Sequence, residues 1–148
     1  MNLKDKINND LKEALKAKDK IRLSTVRSIR ALILEFEKSG KDKTITKEIE
    51  INMLSTAAKK RKEAIEQYEK AGRIDLANNE KIELEIIQGY LPKQLTKEEL
   101  TKGISDLASQ IGAFGKADFA KLMPLAIKTF KGQADGKMIK EVVESILS

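Results

Sequence analysis

Cysteine and histidine are both missing from this chain. Their absence excludes disulfides, thiolate nucleophiles, Cys/His zinc sites and every acid/base scheme that needs imidazole. Tryptophan is missing too, and the aromatics amount to four Phe and two Tyr, so platforms for stacking unpaired bases are few. Two prolines and eight glycines leave long stretches free to be helical. No apolar run reaches the length a membrane span needs. The first ten residues, MNLKDKINND, carry acids and lack an apolar core, unlike a secretory signal or a transit peptide. A cytoplasmic location is the expectation, with no membrane, metal or cofactor. No residue set can be named as catalytic.

What is present is charge and helical periodicity. Charged residues make up 35% of 148, and formal net charge is +6. The excess is local. Residues 1–30 hold nine Lys/Arg against four Asp/Glu, and residues 115–140 hold six lysines against two acids. Such patches suit a polyanionic partner, or are simply solvated helix faces.

Leu3, Ile7, Leu11 and Leu15 recur every four residues and predict a helix over 2–17. Asp19 is placed to cap a second helix striped by Ile21, Val26, Ile29, Ile33 and Phe36, with Gly40 as its stop. Thr46 caps a third, running to about Ala71, and Asp75 is expected to cap a fourth ending near 91. The stretch YLPKQLTKEEL (90–100) is the clearest boundary. Leu91 precedes proline, Thr96 and Glu99 have capping-box spacing, and Leu95 and Leu100 occupy staple positions. The reading is all-α: a lobe of long helical hairpins over 1–92 and a three-helix lobe over 95–148. Helices of the second are expected at 97–110, 116–130 and 136–147, with Pro124 kinking or shortening the middle one.

The segment FKGQADGK (130–137) invites a phosphate-loop reading and fails it. Three residues rather than four separate Gly132 from Gly136, and Met138 rather than Ser or Thr follows Lys137. Gly132 as a left-handed helix exit and Asp135 as an N-cap explain most of the stretch. They leave unexplained why Lys116, Lys121, Lys131, Lys137 and Lys140 gather around two interhelical turns. Amides at a helix start with lysines beside them suit phosphate oxygens.

Elsewhere, KKRK (59–62) spreads around a helix and has Glu63, Glu66 and Glu69 as ready partners, so a solvated face is expected. Glu83 and Glu85 read as ordinary surface carboxylates. Arg22, Arg27 and Arg30 form a partial stripe, or cover the core with their stems. Tyr68, Tyr90 and Phe36 fall on apolar stripes.

YLPKQLTKEEL, GKADFAKLM and KGQADGKMIKEVV resemble the YqeY family, as does RIDLANNEKIELEIIQGYLP (73–92). That family shares its domain with the tail of the B subunit of tRNA-dependent amidotransferases (GatB/YqeY). The resemblance covers essentially the whole chain. It implies an all-helical, non-catalytic tRNA-binding module with a three-helix C-terminal lobe. It also implies association with carbon–nitrogen ligases that use glutamine as amido donor, whose chemistry belongs to a separate domain. By matched motif it carries over Lys116, Lys121, Lys131, Gly132, Gly136 and Lys137 as tRNA contacts. Lys140 is added on charge. Pro124 stands where the family has glycine, and Gln133 where a basic residue is frequent. The alternative reading is a helical protein-interaction scaffold without RNA.

Overall fold

In a computed structural model the chain is described over residues 2–39 and 44–148. Those residues form seven α-helices and one short 3₁₀ turn, with no strand among them, so the all-α expectation holds. The helix stop read at Gly40 lies outside the described residues. The chain divides into two compact units between Leu91 and Pro92. The sequence reading closed its first lobe at 92 and opened the second at 95.

The first unit contains α1 (Leu3–Ala17), α2 (Lys20–Lys38), α3 (Lys47–Lys70) and α4 (Ile74–Gln88). Side-chain caps set three of the starts. Asn2 accepts from the Asp5 N–H at 2.8 Å, Asp19 from Arg22 at 3.1 Å and Thr46 from Ile49 at 3.2 Å. Lys18 takes the left-handed conformation (φ 56°), which reverses the chain between α1 and α2 without a glycine. The apolar stripes then meet: Leu3, Ile7, Val26, Ile29, Ile33, Leu54, Ala57, Ala58 and Ile87 form one buried cluster. Each large side chain in it contributes roughly 1.5–3 kcal/mol.

Two expectations in this unit are corrected. Asp75 does not cap α4. Arg73 occupies the cap position with no side-chain cap bond, and Asp75 lies in the first turn, paired with that arginine at 3.4 Å. Nor is KKRK wholly a solvated face. Arg61 is half-buried and faces Glu80 (3.6 Å) and Glu83 (3.4 Å) on α4. Pairing within one helix surface overlooked the carboxylates that the α3–α4 hairpin brings across.

The second unit contains α5 (Lys97–Ile111), a 3₁₀ turn (Lys116–Asp118), α6 (Phe119–Thr129) and α7 (Gly136–Leu147). Thr96 and Glu99 close a full capping box: the Thr96 hydroxyl accepts from the Glu99 N–H, and the Glu99 carboxylate accepts from the Thr96 N–H, both at 3.1 Å. Leu100, Ile104, Leu122, Ala126, Ile139, Val142, Val143 and Leu147 make the core, with Leu95 packed against it. The predicted middle helix begins later than expected, because its first turn is 3₁₀. Pro124 lies inside α6 and does not stop it. The bond it forgoes would have reached the Ala120 carbonyl, and Ala120 is exposed, so water can serve that oxygen instead.

Candidate nucleic-acid interface

The turn between α6 and α7 is built on Phe130. Its ring is seated against Gly103 of α5, where a Cβ would come within 2.6 Å of the ring. Only glycine leaves that space. The Phe130 carbonyl then accepts from the N–H groups of Gln133 (2.9 Å) and Ala134 (3.3 Å). Gly132, at φ +81°, makes the left-handed step. Two further bonds fasten the turn to the segment after Pro92. The Gln94 side-chain amide donates to the Gly132 carbonyl at 2.6 Å, and the Leu95 N–H donates to the Gln133 carbonyl at 2.8 Å. Asp135 accepts from the Met138 N–H at 2.7 Å and starts α7. The Ile139 N–H bonds the Asp135 carbonyl, which leaves the amides of Gly136 and Lys137 without a partner among the described residues. Gly136 is exposed, and nothing lies within 4 Å of where its Cβ would be.

The other end of α6 is organised by Asp118. Its carboxylate accepts from the N–H groups of Phe114 (3.0 Å) and Gly115 (3.4 Å). Those bonds, with a smaller contribution from the nearby Lys121 ammonium, hold the Asp118 carboxyl below the ordinary aspartate range.

Lys116, Lys121, Lys131, Lys137 and Lys140 are all exposed. They fall in two groups rather than one. Lys116 and Lys121 flank the start of α6, while Lys131, Lys137 and Lys140 follow its end. Nine residues, 122–130, separate Lys121 from Lys131, about 15 Å at 1.5 Å per residue. Glu141 and Glu144 stand one turn beyond Lys137 and Lys140 on the outer face of α7. Even so, no carboxylate comes within ion-pair distance of Lys116, Lys121, Lys137 or Lys140 among the described residues. Gly132 differs from the rest of the set. It is buried, its carbonyl is taken by Gln94, and its visible role is to shape the turn.

Sequence reasoning missed three residues here. Lys128 is exposed and lies seven residues after Lys121, on the same stripe of α6. The i, i+7 spacing carried that signal. Gln94 had none, because its partner is 38 residues away. Phe114 is 83% exposed, and no periodicity marks it because it lies in a loop.

In the first unit, the Tyr90 hydroxyl donates to Asp10, which Arg22 approaches at 3.9 Å. Burial and the Asp10 carboxylate push the Tyr90 phenol far above its ordinary range. A groove of about 560 Å³ is lined by Leu32 and Phe36 of α2 and by Ile49, Met53 and Ala57 of α3. Among the described residues no three carboxylates cluster as a metal site, and no helix is long and apolar enough to cross a membrane.

A family model described as Yqey-like protein matches residues 4–147. The chain belongs to the YqeY family. This YqeY-family chain is similar to several fungal proteins called altered inheritance of mitochondria protein 41, mitochondrial. The one from Vanderwaltozyma polyspora is 31% identical over 147 residues, which covers 94% of this chain and 78% of that protein. The one from Pyrenophora tritici-repentis is 26% identical, covering 93% and 77%. The one from Candida glabrata is 28% identical, covering 87% and 69%. Their names overturn the cytoplasmic expectation, which rested on composition and on the N-terminal residues, since they point to mitochondria.

Proposed function

We propose that this YqeY-family chain is a non-catalytic tRNA-binding module that works beside a tRNA-dependent amidotransferase or another tRNA enzyme. One observation carries the reading: exposed lysines flank both ends of α6, and four of them are free of ion pairs among the described residues. Two groups about 15 Å apart, with Lys128 between them, would touch several phosphates of a folded RNA rather than a single one. The amides of Gly136 and Lys137 add donors whose direction is fixed by the turn. Recognition of this kind is by shape and backbone, and it leaves the amide-forming chemistry to the partner.

The test is fluorescence anisotropy with bulk deacylated tRNA across a salt series. The reading expects binding at low salt that weakens steeply as salt rises. Undetectable binding at low salt overturns it.

A second reading, a protein-interaction scaffold, is favoured by the apolar groove between α2 and α3. It expects mass that rises with concentration or with added protein, and no retained RNA. Light scattering and the ultraviolet spectrum of fresh material separate the two, because a chain without tryptophan absorbs little at 280 nm.

A further inference from the structure

Phe114 stands alone among the aromatics. Phe36, Tyr68, Tyr90, Phe119 and Phe130 are all partly buried, whereas Phe114 is 83% exposed. Its ring is not on a floppy tip. The Phe114 N–H and the Gly115 N–H are both held by the Asp118 carboxylate, and one ring edge lies 3.9 Å from where a Gly112 Cβ would be. An ordered loop that presents a bare ring needs an explanation beyond fold stability, since the ring adds almost nothing to the core.

The surroundings indicate what covers the ring. Lys116 is two residues on, and Lys121 is close enough to act on the Asp118 carboxylate. The local acid, Asp118, is occupied by two backbone N–H groups. Among the described residues next to it in sequence, the exposed apolar side chains are Ala117 and Ile111, the latter at 40%. This is one large exposed ring, followed in sequence by two exposed cations, rather than a broad apolar patch. A second protein or a lipid surface would need more apolar area, since membrane binding scales with the area buried. A nucleotide needs only what is here: a flat face for its base and cations for its phosphates.

We propose that the Phe114 ring stacks on an unpaired base of the bound RNA, with Lys116 and Lys121 holding the adjoining phosphates. This inference rests on the tRNA-binding reading and adds a base contact to it. Stacking is tolerant of base identity, so it fixes position on a loop or bulge rather than sequence.

The experiment uses the full chain with Phe114→Trp, which introduces its only tryptophan. Bulk deacylated tRNA and vesicles of anionic phospholipid are the probes. Stacking is expected to quench the new emission on tRNA addition. Phe114→Ala and Phe114→Leu are each expected to weaken tRNA binding about tenfold with the salt slope unchanged. Loss of affinity in the alanine but not the leucine variant means plain apolar contact and overturns stacking. Normal tRNA binding by Phe114→Ala, with no emission change in Phe114→Trp, also overturns it and leaves the phosphate reading standing. Absence of tRNA binding by the wild-type chain sinks both. A blue shift on vesicles with no response to tRNA overturns the RNA assignment in favour of a membrane contact.

Discussion

The Gln94 side-chain amide donates to the Gly132 carbonyl at 2.6 Å, across 38 residues. It also reaches the Pro92 carbonyl at 2.9 Å, so one side chain ties the start of the second unit to the turn before α7. Gly132 is buried, and no other donor to its carbonyl is seen among the described residues. Gln94→Ala leaves that oxygen unpaired. The expected cost is about 1–3 kcal/mol, read as a lower melting temperature. Affinity for tRNA should fall too, since Lys131 and Lys137 border the loosened turn. A variant with wild-type melting removes the turn's dependence on Gln94.

Gly103 and Phe130 make a second dependence. Alanine at 103 would gain about 1 kcal/mol of helix propensity. The same Cβ at 2.6 Å from the ring overpacks the core, which costs roughly 1–3 kcal/mol. Net destabilisation of Gly103→Ala is therefore expected in denaturant unfolding. Net stabilisation would mean the ring moves aside freely.

Tyr90 ties the end of α4 to α1 through Asp10. Tyr90→Phe keeps the ring and removes the donor. Arg22 still attends Asp10 at 3.9 Å and water can reach the carboxylate, so the expected loss is about 1 kcal/mol. A double-mutant cycle with Asp10→Asn should show the two changes to be strongly non-additive. Simple additivity would mean that the bond contributes nothing.

Glu80 gives a pH signature. Burial first, and then the neighbouring Glu83, raise its carboxyl above the ordinary value of 4.5, while Arg61 opposes them. A raised carboxyl means that the folded chain holds a proton the unfolded chain has released. Glu80's contribution to stability is therefore full below about pH 4.5 and is lost as pH rises through the folded value. Glu80→Gln is expected to melt higher than wild type at pH 7 and level with it near pH 4. Equal melting at both values would remove the strain at this site.

Much of the architecture was open to reading because it is local. Stripes such as Ile29–Ile33 and Val142–Val143, and caps such as Thr96 with Glu99, lie within a turn or two of sequence. Errors came where distant chain decides. Arg61 pairs across a hairpin with Glu80 and Glu83, although nearer glutamates were available. Asp75 lost the cap position because α4 starts at Ile74, two residues earlier than a cap at Asp75 requires. For the candidate site, the gathering of lysines at two interhelical turns was visible, whereas the helix that joins those turns was not. The sequence led one to expect Pro124 to kink or shorten it, yet α6 runs on through Pro124 and carries Lys121 and Lys128. Phe114 escaped notice because exposure in a loop leaves no pattern in sequence.

The most direct test of lysine-mediated RNA binding is the salt slope of tRNA affinity for the Lys131→Ala, Lys137→Ala double variant beside wild type. Loss of two phosphate contacts should lower the slope by roughly 1.8 and weaken every tRNA alike. An unchanged slope with unchanged affinity would contradict the account.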